Sequence, residues 1–202
     1  MRKILVVGCA ACVWDDVKEA QRICGELDAV YCVKQVGIHW PSEFQVWVTL
    51  HPEFMDAYER ERQALGHPSG YEIVAPPEKE VGMHGKKGRI ARRVSYRWEG
   101  MNSSASSGVY AVKVAMEDHP SARIVLAGVP MTPEGGHFLP KTRNGSGQIR
   151  GPVWTQHASF VCGLGVAMPT MLGRVRSVSG YTEKMLGRPD EAWLSGTVET
   201  EK

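Results

Sequence analysis

The fold class is decided by the stretch Ile4-Leu5-Val6-Val7-Gly8 near the start of the chain. Its apolar run is continuous rather than alternating, which is typical of a strand buried on both faces of a parallel sheet. Gly8 ends the strand, and a helix is predicted from Trp14-Asp15-Asp16 to about Leu27 because its apolar residues recur every three or four positions. The two aspartates suit the first turn of that helix, where the unpaired amides lie.

In the rest of the chain, apolar runs typical of strands are interspersed with segments whose apolar residues have helical spacing. The predicted strands are Ala29–Val33, Gln45–Leu50, Arg123–Ala127 and Arg174–Ser177, and the predicted helices are Tyr58–Leu65, Val109–Glu117, Trp154–Leu164 and Thr182–Leu186. A polar loop is expected over residues 66–77, and mobile loops over residues 82–104 and 132–152. The pattern predicts one α/β domain over residues 1–202, a Rossmann-like fold whose mostly parallel sheet has helices on both faces.

Composition excludes several classes of protein. Of 202 residues, 43% are hydrophobic and 23% are charged, which is enough apolar material to exclude a disordered or fibrous chain. The longest apolar runs are the length of a strand, so no membrane span is predicted. The five cysteines are odd in number and fit a reducing compartment, and we therefore expect a cytoplasmic protein. A net charge of +2 does not single out a class of partner.

A ligand site is expected at the first strand-to-helix turn, Gly8-Cys9-Ala10-Ala11-Cys12. Open α/β sheets bind ligands beyond the carboxyl ends of their strands, and a glycine there lets a phosphate or ribose approach the helix N-terminus. The alternative is that Gly8 only packs the turn tightly, since the full G-x-G-x-x-G pattern is absent. Cys9 and Cys12 have the spacing of a redox pair, with a thiolate favoured by the helix dipole, or they are two small residues that line the turn.

A second polar turn, Ser106-Ser107-Gly108, heads the helix predicted over Val109–Glu117. Hydroxyls and amides at a helix start form an anion site, although a serine there is also an ordinary N-cap. Together with the first turn, it places two polar turns on the same edge of one sheet. A nucleotide is expected between them, with its remaining charge neutralised by Lys34 or by arginines of the segment 86–98.

Histidine is the side chain most suited to act as a general base near neutral pH, and three histidines are candidates. His51 follows the third predicted strand, whereas His137 and His157 lie further along the chain. For each of them, the alternative is a solvated or hydrogen-bonded surface histidine. The spacing of the histidines matches no metal-ligand set, so no metal is predicted.

Basic residues crowd the segment 86–98. They are Lys86, Lys87, Arg89, Arg92, Arg93 and Arg97, and Tyr96 and Trp98 lie among them. Such a stretch binds phosphates or stacks on bases, so the segment from Lys86 to Arg97 is a candidate nucleic-acid interface. The alternatives are a solvated charged face and a basic lid over an anionic ligand.

Two segments of the chain resemble a known family. Bacterial sialyltransferases that use CMP-sialic acid have a Ser-Gly-Val-Tyr helix and a following strand similar to Ser106-Ser107-Gly108-Val109-Tyr110-Ala111-Val112-Lys113-Val114-Ala115 and to Arg123-Ile124-Val125-Leu126-Ala127-Gly128-Val129. Related segments occur in the motility-associated glycosyltransferases of bacterial flagella. The order of the three N-terminal strands also agrees, so the resemblance covers residues 3–53 and 104–131.

The resemblance implies a set of nucleotide-binding positions. They are Gly8, Cys9, Ala10, Lys34, His51, Ser106, Ser107 and Gly108. It also implies a CMP-type nucleotide-sugar as donor substrate, no separate cofactor, and transfer of the sugar to an acceptor that His51, His137 or His157 deprotonates. The family has an Asn-Gly-Pro-Ser type first turn where this chain has Cys9-Ala10-Ala11, and asparagines where Lys34 and His51 stand.

The tail Val175-Arg176-Ser177-Val178-Ser179-Gly180-Tyr181-Thr182 resembles the ends of small proteins encoded by bacteriophages. That resemblance implies a viral origin and the cytoplasm of the host. The alternative to a transferase is a non-catalytic phage protein that sequesters a nucleotide, or that binds nucleic acid through the segment 86–98. A third hypothesis is an interaction module that has kept the fold and lost the ligand.

Overall fold

A parallel sheet forms the centre of the protein in a computed structural model that describes residues 1–81, 89–102, 106–132, 136–139 and 157–196. The strands are β1 (Lys3–Val7), β2 (Ala29–Val33), β3 (Val46–Val48), β4 (Glu72–Ala75), β5 (Arg92–Arg93), β6 (Arg123–Ala127) and β7 (Val175–Ser177). They lie in the order β5-β4-β3-β2-β1-β6-β7, and every neighbouring pair is parallel. The predicted Rossmann-like α/β fold is confirmed.

Helices cover both faces of this sheet. They are α1 (Val13–Cys24), α2 (Val36–His39), α3 (Met55–Ala64), α4 (Glu78–Val81), α5 (Ser107–Asp118), α6 (His157–Met171), α7 (Gly180–Leu186) and α8 (Glu191–Ser195), with a 3-10 turn (Pro52–Phe54) before α3. Ile4 belongs to the core beneath α5 and α6, whereas its neighbour Leu5 belongs to the core beneath α1 and α3. The apolar run of β1 is continuous because both faces of the strand are buried. Within the described ranges, no helix is both long enough and apolar enough to cross a lipid bilayer.

Strand β1 lies in the interior of the sheet, where Ile4 pairs with Ala29 on one side and with Ile124 on the other. Strands β2 to β5 extend from one side of β1, and β6 and β7 extend from the other. The chain therefore reverses its direction of progress across the sheet between β1 and β6. In open α/β sheets, ligands bind in the crevice at such a reversal, beyond the carboxyl ends of the strands.

Two strands lie where the sequence predicts loops. The segment 66–77 contains β4, and the segment 82–104 contains β5 within its described residues 89–102. Helix α1 ends at Cys24 rather than near Leu27, because Gly25 takes a φ of 65°.

Parts of three predicted segments lie outside the described residues. They are 82–88 and 103–105 of the loop 82–104, 133–135 and 140–152 of the loop 132–152, and 154–156 of the predicted helix Trp154–Leu164.

Candidate functional site

The two polar turns predicted from the sequence meet at Val129, which follows β6. A Cβ atom on Gly8 would lie 2.3 Å from the carbonyl oxygen of Gly128 and 2.6 Å from a methyl carbon of Val129. A Cβ atom on Gly108 would lie 2.8 Å from a methyl carbon of the same valine. Real Cβ contacts are longer than these, so both positions require glycine. The first turn and the N-terminus of α5 therefore pack together at the reversal point of the sheet.

The two serines at the start of α5 have different surroundings. The Ser106 hydroxyl accepts a hydrogen bond from the Val109 amide at 3.2 Å, which makes Ser106 the N-cap. Ser107 is only 8% exposed, and its hydroxyl has no hydrogen-bond partner among the described residues. Buried hydroxyls in folded proteins are normally paired, so the partner of this oxygen is to be sought beyond the described residues, for example in a bound ligand.

Three amides of the first turn are used within the fold. The amide of Gly8 donates to the Ala127 carbonyl at 2.8 Å, that of Ala10 to the Gly128 carbonyl at 3.1 Å, and that of Ala11 to the Gly136 carbonyl at 2.7 Å. These three amides are therefore not available to an anion in this crevice, and the N-terminus of α5 is a second helix start that packs against the turn.

A short segment, residues 136–139, pairs with the first turn. Ala10 and His137 form an isolated antiparallel bridge, and the amide of Phe138 donates to the Cys9 carbonyl at 3.0 Å. Nδ1 of His137 accepts a hydrogen bond from the Leu139 amide at 3.1 Å. His137 thus lies directly on the first turn, although it is far from that turn in sequence.

His157, the first residue of α6, lies beside the loop that follows β6. Its Nε2 atom is 2.8 Å from the carbonyl oxygen of Met131, two residues beyond Val129. A carbonyl only accepts, so Nε2 is the donor in this contact and Nδ1 carries the lone pair of the neutral ring. His157 is therefore close to the point where the two polar turns meet.

Lys34 and His51 follow β2 and β3 at the same edge of the sheet. Lys34 has a φ of 48°, and its carbonyl accepts a hydrogen bond from the Trp47 indole at 2.7 Å. Nδ1 of His51 is 3.1 Å from Oε1 of Glu53. Neighbouring strands lie about 4.8 Å apart, so β3 is about 14 Å from β6 across the sheet. The fold does not bring His51 together with His157.

A buried carboxylate that the sequence analysis assigned only to the first turn of a helix holds this edge of the sheet together. Asp16 is 6% exposed, and its Oδ2 atom accepts hydrogen bonds from the Gly128 amide at 2.8 Å and from the Ser179 hydroxyl at 2.5 Å. The available sequence signal is spacing, since Asp16 lies three residues after Val13 and four before Ala20 on the buried face of α1.

The Cys12 thiol also donates to Asp16, at 3.2 Å. Burial and the adjacent carboxylate raise the pKa of Cys12 from its usual value to about 11. The thiolate expected of a redox pair is therefore not formed near neutral pH. Cys9 donates instead to the Val33 carbonyl at 3.0 Å, and both contacts favour the interpretation of the two cysteines as small residues lining the turn.

Three of the four arginines in the basic segment are paired with acidic side chains. Arg92 contacts Asp118 at 2.7 Å and Glu72 at 3.0 Å, and these two carboxylates raise its pKa. Arg89 and Arg93 also form ion pairs, with Glu59 and Glu78 respectively. The side chain of Trp98 is buried, and nucleic-acid binding by this segment stays a prediction. Lys86 and Lys87 lie outside the described residues.

In the part of the chain that the structure describes, no three His, Cys, Asp or Glu side chains lie close enough to hold a metal ion. No protein-family model, curated protein or solved structure matches the chain. The similarity to sialyltransferases therefore rests on the sequence segments quoted above and stays a prediction.

Proposed function

We propose that this chain binds a nucleotide or nucleotide-sugar at the carboxyl edge of its sheet and transfers the sugar of the donor to an acceptor hydroxyl. The observation that supports binding is the hydroxyl of Ser107, which is buried at the first residue of α5 without a partner among the described residues. A phosphate oxygen is the partner that best suits it, because the N-terminal amides and the dipole of a helix attract anions.

The position of α5 also supports this proposal. The helix is 12 residues long, and its N-terminus packs through Gly108 against the loop that follows β6. A phosphate bound there lies at the reversal point of the sheet, with the rest of the nucleotide free to extend along the ends of β1 and β2 towards Lys34.

Transfer requires a base for the acceptor. In the proposed step, the acceptor oxygen bonds to the anomeric carbon, the bond from that carbon to the phosphate oxygen breaks, and the acceptor proton moves to a histidine. His157 is the candidate base, because its contact with the Met131 carbonyl places it beside the loop that packs on α5. The departing nucleotide phosphate takes the bonding electrons and is stabilised by the helix N-terminus.

The two adjacent serines provide a matched test of ligand binding. In Ser107→Ala, affinity for a nucleotide is expected to fall about 10- to 100-fold, the usual effect of losing a hydrogen bond to a charged group, with no loss of stability in the unliganded protein. In Ser106→Ala, the N-cap is lost and the free energy of unfolding falls by about 1 kcal/mol. Thermal shifts against a panel of nucleotides and nucleotide-sugars, including CMP-sialic acid, measure both effects.

The proposed binding site is wrong if no compound of the panel stabilises the wild-type protein. It is also wrong if Ser107→Ala binds a stabilising compound as tightly as the wild type does.

Replacing His157, the first residue of α6, tests whether the protein transfers a sugar. With a donor and acceptor that turn over, His157→Asn is expected to lower kcat about 100-fold, the usual contribution of a positioned general base, while donor affinity stays unchanged. His67→Asn is the matched control, because His67 lies in the loop between α3 and β4, at the opposite, amino edge of the parallel sheet. Tight binding with no product in the wild-type protein would instead identify a sequestering protein.

A further inference from the structure

Helix α2 follows β2 at the carboxyl edge of the sheet, and its N-cap and its last residue each carry a polar atom without a hydrogen-bond partner among the described residues. Gln35 is 8% exposed, and its Oε1 atom is buried with no hydrogen-bond partner in the described ranges. Nε2 of His39 is also buried and has none among the same residues. Each such atom costs free energy unless a partner reaches it, so two of them on one short helix indicate a missing partner.

The two atoms belong to one face of α2. Gln35 is the N-cap and has helical dihedral angles, φ −63° and ψ −23°, so it continues the helix backwards by one residue. Residues four apart on a helix lie one above the other, which places Gln35 and His39 on the same side.

The aromatic contacts of His39 show what this face adjoins. Its ring packs edge-on against Phe138, with centroids 5.5 Å apart, and Phe138 also contacts the ring of Trp14 at 5.9 Å. The amide of Phe138 donates to the Cys9 carbonyl of the first turn. The face of α2 formed by Gln35 and His39 therefore borders the same crevice as the first turn, on the β2 side.

We propose that Gln35 and His39 form a subsite that recognises the hydrogen-bonding edge of a nucleobase. This inference rests on the proposed nucleotide binding and specifies which part of the ligand lies over β2. The Gln35 carbonyl accepts from an N–H group of the base, and the His39 imidazole binds the neighbouring ring nitrogen or carbonyl. Phe138 and Trp14 provide flat apolar surfaces, which suit a planar base rather than a second phosphate.

The test separates recognition of the base from recognition of the phosphate. Binding of CMP, UMP, AMP, GMP and ribose 5-phosphate is measured by titration calorimetry on wild type, Gln35→Met and, as control, Gln21→Met, which changes an exposed glutamine on α1. Gln35→Met is expected to weaken the best nucleotide about tenfold, the effect of one lost hydrogen bond, and to leave ribose 5-phosphate unchanged. The melting temperature of the unliganded variant should equal or exceed that of wild type, because the substitution removes an unsatisfied buried atom.

His39→Leu is expected to weaken nucleotide binding in the same way and to leave the affinity for ribose 5-phosphate unchanged. This variant replaces Gln35→Met in the test if Gln35→Met does not fold. Equal affinities of the wild-type protein for ribose 5-phosphate and for every nucleotide would overturn the base subsite and leave the phosphate site standing. Unchanged nucleotide affinity in both variants would also overturn it, since the two atoms would then be satisfied by water alone. Failure of all the phosphate compounds to bind the wild-type protein would overturn both proposals together.

Discussion

Replacing Arg62 with methionine is expected to lower the free energy of unfolding by about 3–5 kcal/mol, because several main-chain carbonyls lose a charged donor at once. Arg62 is 1% exposed, and its guanidinium donates to the carbonyls of Gly37 at 2.7 Å and Trp40 at 2.6 Å. It also donates to those of Pro68 at 2.8 Å and Ser42 at 3.0 Å. A single side chain of α3 thus donates hydrogen bonds to main-chain carbonyls in α2, in the turn after it and in the loop that leads to β4.

Urea denaturation of Arg62→Met measures this effect, and Arg60→Met is the matched control on the same helix. Arg60 is exposed, so its replacement is expected to change the free energy of unfolding by about 0.5 kcal/mol or less. Arg62→Lys should be intermediate, since an ammonium has three donors and cannot span four carbonyls in the plane of a guanidinium. A loss in Arg62→Met no larger than that in Arg60→Met would contradict the assigned role.

The second large effect is expected at Asp16. Asp16→Ala removes the acceptor of the Gly128 amide, the Ser179 hydroxyl and the Cys12 thiol, and we expect a loss of about 2–4 kcal/mol. The neighbouring Asp15 provides the control, because its side chain is 89% exposed and contacts only Lys18, at 3.5 Å, among the ion pairs of the described residues. Asp15→Ala should change stability by about 1 kcal/mol at most.

Thermal and urea unfolding of both aspartate variants measure the difference. Asp16→Asn is informative as well, because the amide oxygen still accepts from Gly128 while the charge that strengthens all three hydrogen bonds is lost. It should therefore fall between wild type and Asp16→Ala. Equal stability of Asp15→Ala and Asp16→Ala would show that the Asp16 cluster does not hold α1 to the loop after β6.

The strands at the centre of the sheet were predictable from local sequence, and the strands at its edge were not. The predicted strands Ala29–Val33 and Arg123–Ala127 match β2 and β6, because a strand buried on both faces needs apolar side chains along its length. Strand β5 consists of two arginines. Arg92 is held there by Glu72 and Asp118, which are 20 and 26 positions away in the sequence. A local sequence pattern cannot predict contacts between such distant residues.

The candidate site was also predictable only in part. Glycine and serine at the two polar turns are recognisable from residue type and position, and the structure brings Gly8 and Gly108 together at Val129. Whether a buried polar side chain has hydrogen-bond partners depends on residues that are distant from it in sequence. Asp16 and Gln35 therefore look like ordinary surface residues in the sequence. The first is buried with three donors, and the second is buried with an oxygen that has no partner in the described part of the chain.

The pairing of β1 with β6 has a consequence for the way the protein is made. Ile4 lies beside Ile124, so once β1 has left the ribosome about 120 further residues must be made before its second edge is covered. At synthesis rates of about 5–20 residues per second, that interval is about 6–24 s. Strands β2, β3 and β4 can join β1 during this time, but one side of β1 remains open to chaperones, or to another nascent chain, until β6 emerges.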